Sequence, residues 1–184
     1  MIGKRAGFRR AARRFDDAVD EVVEPLRKNA ALTSVAAAVS NLADYGFVWT
    51  VVASAKGRRR GTRRAALRRL GTAGVSSLAL NAAIKAVVDR GRPEQAAANA
   101  EPGAIPVREP TSSSFPSGHT LAAFTTAVVL ADSPAQAVAF IGFAAVVGAS
   151  RIQLGAHHAS DVAGGALIGA GLGALLRSTN RRRR

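Results

Sequence analysis

The chain contains no cysteine, which excludes disulfide staples, thiolate metal sites and cysteine nucleophiles together and leaves its redox compartment undetermined. Acidic residues are also scarce: 12 Asp and Glu stand against 26 Lys and Arg, for a formal net charge of +14 over 184 residues. The total resembles that of a nucleic-acid binder, but its distribution argues otherwise. Residues 1–14 carry six basic residues and no acidic one, Lys56 and seven arginines fall within 56–69, and Arg177 and Arg181 to Arg184 close the sequence. Between these clusters lie long runs that are nearly free of charge. Residues 31–55 carry only Asp44, residues 70–88 only Lys85, and residues 117–131, 134–150 and 162–176 carry none. A secretory signal peptide is not evident, because residues 1–30 of mixed charge precede the first apolar run and no small-residue cleavage site follows it. Membrane insertion would therefore rest on the apolar runs themselves.

The length allows one domain of ordinary size. Residues 15–26 set Phe15, Ala18, Val19, Val22 and Leu26 opposite Asp16, Asp17, Asp20, Glu21 and Glu24 on a helix, the pattern of a surface or interfacial element. The five apolar runs predict an all-α integral-membrane bundle of about five spans behind this amphipathic N-terminal helix, with a break in the first span between residues 41 and 46. About twenty apolar residues cross a bilayer, so the shorter runs need flanking residues or shielding by neighbouring protein. The stretch "GGALIGAGLG" at 164–173 offers small surfaces on which membrane helices approach closely. Its reading as a flexible linker is weaker, because apolar residues fill every gap. The expected organisation is a basic and amphipathic segment at 1–30, a helical core at 31–177 and a basic cytoplasmic tail at 178–184.

The positive-inside tendency puts the arginines at 58–69 and 177–184 in the cytoplasm, separated by four crossings. Residues 89–116 and 151–161 then share the outer face, and the turn at 132–133 is cytoplasmic. The same count starts the 31–55 span outside, against its basic N-terminus; a first helix lying on the membrane, or a re-entrant break near Asp44, would reconcile the two.

Histidine is rare: His119, His157 and His158 are the full set. All three fall on the face assigned as outer, where Lys85, Arg90, Arg92, Arg151 and Asp161 also end apolar helices. Ionisable groups at membrane depth are costly unless paired or hydrated, so such a cluster reads as a functional site. Lys85, Arg92 and Arg151 suit a phosphate, arginine through its fork and lysine as a point charge. Ser117 is positioned as an N-cap, Gly118 admits close backbone approach, and a helix start favours an anion. His119 projects from that start, where it could protonate a leaving group. Asp161 lies four residues beyond His157, within reach across one helical turn, and a carboxylate on one ring nitrogen leaves the other free to attack. A metal reading of the adjacent His157 and His158 is weaker, since neighbouring residues diverge on a helix and one carboxylate is near; no metal and no other cofactor is expected.

The segments "KAVVDRGRP" (85–93), "PSGH" (116–119) and "SRIQLGAHHASD" (150–161) resemble the three signature motifs of the type 2 phosphatidic acid phosphatase superfamily, K-x6-R-P, P-S-G-H and S-R-x5-H-x3-D. Every fixed position matches, in order. The resemblance implies a helical membrane bundle that hydrolyses lipid-linked phosphate esters without metal. It implies that Lys85, Arg92 and Arg151 bind the phosphate with Ser117 and Gly118, that His119 is the acid and His157 the nucleophile, and that Asp161 holds His157. Two departures stand out: His158 replaces an aromatic residue frequent in the family, and the clear first span of six-helix members is missing. The small, arginine-rich and alanine-rich chain looks most like actinobacterial members. That kinship suggests a polyprenyl-phosphate sugar such as decaprenylphosphoryl-5-phosphoribose as substrate, with phosphatidic acid, phosphatidylglycerol phosphate and prenyl diphosphates as alternatives. The expected setting is the plasma membrane, with the site facing outward and no nucleic acid as partner. A basic membrane protein that binds anionic lipid without catalysis would share the arginine clusters but has no use for a histidine–aspartate pair at the opposite end.

Overall fold

The computed structural model of the chain describes residues 2–43, 46–56, 60–93 and 112–182. Within them the elements are α1 (Ile2–Arg27), α2 (Ala30–Ala43), α3 (Phe47–Ala55), α4 (Arg60–Val87), α5 (Gly118–Leu130), α6 (Pro134–Gln153) and α7 (Ala159–Arg182). Among the described residues no strand occurs, as the helical periodicity and the absence of alternation lead one to expect.

Three of these helices are long and apolar enough to cross a bilayer: Gly61–Val87, Pro134–Gln153 and Ala159–Thr179. The run at 31–55 is not straight. It divides into α2 and α3, bent by 61° and joined through Gly46, whose φ of 68° lies in the left-handed region that glycine adopts without strain. Asp44, named above as a candidate re-entrant point, lies outside the described residues. The fifth apolar run forms α5, whose 13 residues reach only ~20 Å at 1.5 Å per residue. It cannot match a hydrocarbon core of about 30 Å by itself.

Its neighbours supply what it lacks. Leu121, Ala127, Leu130 and Thr125 are buried, and α5 is packed by α4, α6 and α7. Close approach to α7 depends on glycine at every fourth position of the 164–173 stretch, at 165, 169 and 173. A Cβ on Gly165 would fall 2.8 Å from the Ser117 carbonyl oxygen, one on Gly169 2.4 Å from that of Leu121, and one on Gly173 2.9 Å from that of Thr125. With the backbones this near, Thr125 Oγ1 donates to the Gly169 carbonyl at 3.0 Å. Small residues thus act as the contact surface expected between membrane helices. At one end of the bundle Trp49 fills the gap between α3 and α6 by edge-on contact with Phe140 and Phe143, at centroid distances of 5.7 and 5.6 Å.

Large apolar side chains point outward instead: Val75 and Leu78 on α4, Val138 and Val146 on α6, Leu167 and Leu175 on α7 are all exposed. A small-residue interior under a coat of Val and Leu is the arrangement that lipid, rather than water, solvates. The basic clusters mark one end of this bundle. Lys56 and Arg69 close on Asp132, at 2.9 and 3.0 Å, just past the C-terminus of α5, and Arg177 reaches the Val128 carbonyl. The start of α5, and with it the histidines, lies at the other end.

Helix α1 is longer than the 15–26 segment that periodicity marks. Its apolar positions Phe15, Val22 and Leu26 stay exposed, while its acidic side turns toward the histidine end of the bundle. Arg27 pairs with Asp20 at 2.6 Å and donates to the Ile152 carbonyl at 3.1 Å. Helix α1 thus lies against the end of the bundle, and the 61° bend between α2 and α3 has the form of a broken span or a re-entrant loop.

Candidate active site

The three motif segments are knitted together by their own backbones. Ser114 donates from its N to the Arg90 carbonyl and from its Oγ to the Gly91 carbonyl, both at 2.9 Å, joining the first segment to the second. Ser117 N donates to the Asp161 carbonyl at 3.1 Å, joining the second to the third. Arg92 closes the triangle, donating from Nη1 to the Ala156 carbonyl at 2.7 Å and from Nη2 to that of Ser112 at 3.3 Å.

Around this frame the structure brings most of the expected side chains into one place. Lys85, in the last turn of α4, donates to Ser112 Oγ at 3.1 Å and lies within electrostatic range of Arg92 and Asp161. Arg151, in the last turn of α6, is buried and donates to Ser40 Oγ from α2. Gly118 opens α5, and a Cβ there would lie 3.1 Å from Asn81 Nδ2, so the first turn of α5 packs tightly on α4. His119 follows on the same turn and is half-buried. A polar cavity of about 320 Å³ lies at this end, lined by Asp16, Asp20, Arg92, Ile152, His157 and His158 among others.

Two local expectations need correction. Ser117 occupies the N-cap position with extended backbone, but its side chain makes no capping bond. Fully buried, its Oγ instead accepts from Thr120 Oγ1 at 2.9 Å. His157 is not on the helix with Asp161; it lies in the turn two residues before α7. Its Nδ1 stands 3.8 Å from Asp161 Oδ2, beyond hydrogen-bond length, and makes no hydrogen bond in this state although it is buried. Asp161 Oδ2 accepts from the His158 backbone N at 2.9 Å, the reach-back contact by which an acidic residue in a first turn secures the helix start.

Burial, first of all, pushes the His157 imidazole down to about 4; Asp161 opposes the shift, and the nearby positive charges of Arg92 and Arg151 reinforce it. The ring is therefore neutral at ordinary pH, the form that carries a free lone pair. Arg92, His157 and His158 line the cavity. Arg151 lies within electrostatic range of His157, and Lys85 within that of Arg92. Cations and imidazoles so grouped can bind a tetrahedral anion and move a proton to or from it. Among the described residues no group of three or more His, Asp or Glu side chains is placed to hold a metal ion.

Residues 66–184, more than half of the chain, match the family model of the PAP2 superfamily. The chain belongs to that superfamily. No curated protein matches it. Among solved structures it is similar to the first transmembrane PAP2-type phosphatidylglycerolphosphate phosphatase from Bacillus subtilis, with a TM-score of 0.74 and 24% identity over 95% of this chain and 88% of that one. At that identity the likeness concerns the fold, which it shares through α1 to α7. PAP2 membership makes this a multi-pass membrane protein of the lipid-phosphatase type.

Residues that sequence reasoning did not assign to the site are also here. Asp16, from α1, is buried and accepts from Ser160 N at 2.7 Å, from Ser160 Oγ at 2.8 Å and from Arg90 Nη2 at 2.6 Å. Arg90 Nη1 in turn donates to Asp161 Oδ1 at 2.6 Å. Arg90 stood out in the sequence as one more cation of the outer cluster. Asp16 did not, being one of five acids on an amphipathic face and 144 positions from Ser160. Ser40 and Asn81 carried no local signal either.

Proposed function

We propose that this PAP2 protein hydrolyses the phosphomonoester of a lipid-linked substrate through a phosphohistidine, without a metal ion. Lys85, Arg92 and Arg151 bind the phosphoryl oxygens together with the Ser117–Gly118 start of α5. His157 Nε2 attacks phosphorus while the bond to the lipid-side oxygen breaks, and His119 gives that oxygen its proton. Water then attacks the phosphorus–nitrogen bond, losing a proton to His119, so that inorganic phosphate leaves and His157 is regenerated. Asp161 takes the Nδ1 proton's side of the ring, which needs only a small turn of the imidazole from its present position.

The observation that carries this reading is the state of His157: neutral and buried, with Asp161 behind it and two arginines beside it at the edge of a polar cavity. The cations supply the electrostatic stabilisation that a metal would otherwise provide. The basic clusters at the far end support a cytoplasmic location for that end in the plasma membrane, and so removal of phosphate at the outer leaflet.

For the substrate we take a polyprenyl-phosphate sugar such as decaprenylphosphoryl-5-phosphoribose, a cell-wall precursor, supported by the small, arginine-rich actinobacterial character of the chain. Phosphatidylglycerolphosphate, for which the Bacillus subtilis protein is named, is the second reading. The test is phosphate release by purified protein from these two lipids, phosphatidic acid and a prenyl diphosphate, each in excess EDTA, with acid-labile, base-stable labelling of the enzyme by a radiolabelled phosphoryl group. Release in EDTA with label lost in His157→Ala is expected. A rate abolished by EDTA and restored by a divalent metal would overturn the mechanism, and the substrate ranking decides between the lipids.

A further inference from the structure

Asp161 is gripped on both oxygens, by Arg90 on Oδ1 and by the His158 backbone on Oδ2. Arg90 is itself shared. Its guanidinium forks between two carboxylates, reaching Asp161 through Nη1 and Asp16 through Nη2, each at 2.6 Å. Asp16 accepts in addition from both the backbone and the hydroxyl of Ser160, the residue next to Asp161. Asp161 is fully buried and Asp16 is buried on a helix whose apolar side is exposed. A buried carboxylate pair sharing one cation is costly to assemble unless the geometry it fixes matters, because desolvation of each charge has to be offset by pairing.

We propose that Arg90 and Asp16 are positioning residues of the reaction, holding Asp161 and, through it, His157, so that helix α1 is part of the catalytic centre. Arg90 is committed to the two carboxylates, and Asp16 to Arg90 and Ser160. Guanidinium geometry suits the place, since Nη1 and Nη2 are separate donors fixed in one plane, one for each carboxylate, whereas an ammonium offers all its donors from a single atom on a flexible stem. Removing the cation leaves the full charge of Asp161, with Asp16 behind it, acting on the imidazole. The other charged groups around His157 are Arg151 from α6, Arg92 from the segment after α4, and Asp17 and Asp20 from α1, which line the same cavity, while Lys85 lies within range of Arg92 and Asp161. His119 on the first turn of α5 and the neighbouring His158 complete the titratable set. Taking Arg90 from this set makes the surroundings more negative, so His157 holds its proton to higher pH. Residue 16 precedes the stretch that matches the superfamily model.

The proposal rests on His157 as nucleophile, and the experiment separates the two. Dependence of kcat on pH is measured for the full chain in detergent micelles with phosphatidic acid as probe, for wild type, R90Q, R90K, D16N and the D16N/R90Q double variant. R90Q should move the acid limb up by about one pH unit and lower kcat by roughly tenfold or more. R90K should keep the limb near the wild-type position and still lose rate, at unchanged Tm. The double variant should fall no further than R90Q, because Asp16 acts through Arg90. An acid limb in R90Q that coincides with wild type, an R90K variant with wild-type kcat, or additive losses in the double variant would overturn the proposal. If R90Q does not fold, the R90K comparison decides. An active His157→Ala protein, or a wild type with no acid limb, would remove the nucleophile assignment and this inference with it.

Discussion

Two aspartates mark the two ends of α5. Asp132 follows its last turn and takes Lys56 and Arg69 at 2.9 and 3.0 Å; Asp161 meets its first turn through the backbone and takes Arg90 at 2.6 Å. In sequence each is the lone formal charge of a long stretch, Asp132 of residues 110–150 and Asp161 of residues 152–176. In the fold the Asp132 side chain is 51% exposed and that of Asp161 is 0% exposed. Partial burial would raise the Asp132 carboxyl, but hydrogen bonds from Lys56 and Arg69 outweigh it and keep the group below its ordinary range. Water can replace those partners, so the cluster ties down a loop and little more. At Asp161 no water stands ready, and each partner fixes an orientation. The difference teaches that ion-pair distance says little about function until burial is known.

The comparison breaks hardest at the residue Asp161 serves. His157→Ala should abolish phosphate release, a loss on the order of a thousandfold or more, while His158→Ala stays far milder. Equal losses would mean that the buried histidine is not special. Next, Asp161→Asn should lower kcat by roughly a hundredfold or more and cost about 3 kcal/mol of stability. The matching Asp132→Asn should change kcat less than about twofold and stability by no more than about 1 kcal/mol. Thermal unfolding followed through the single tryptophan, Trp49, together with turnover, measures both. Similar effects at the two ends would show that burial does not divide them.

A smaller effect separates the two sides of α7. Gly169→Ala must push its Cβ away from a carbonyl oxygen at 2.4 Å, forcing α5 and α7 apart at about 1–3 kcal/mol. Gly171→Ala meets nothing within 4 Å and should be neutral or gain up to about 1 kcal/mol from helix propensity. The last experiment leaves rate and stability nearly untouched. In a chain without native thiols, Glu21→Cys on α1 should react with an impermeant reagent on intact spheroplasts, and Ser178→Cys at the other end only after lysis. The opposite pattern would turn the site inward.

Much of this was legible beforehand because the signals are local. Charge-free runs mark helices that lipid solvates, and the glycines at 165, 169 and 173 mark a face where helices touch. The three motif segments name side chains whose chemistry is recognisable without a fold. Legibility failed where a local rule was overridden by its tertiary setting. Ser117 was read from its position, but burial against Thr120 turned its hydroxyl away from the cap. His157 and Asp161 were read at helical spacing, but the turn after α6 takes residue 157 off the helix. The break expected between residues 41 and 46 of the 31–55 run is present, but its 61° angle was not readable from composition.

By itself the sequence determined a small-residue helical bundle in lipid, its two charged ends and the histidines and cations of one of them, because hydropathy, charge and motif chemistry are written residue by residue. Only tertiary structure decided that α4, α6 and α7 are the neighbours that carry the short α5. It alone decided which aspartate is buried, and that Asp16 from the N-terminal helix shares Arg90 with Asp161. Those outcomes depend on desolvation and on contacts across 74 and 144 positions, which no local pattern encodes.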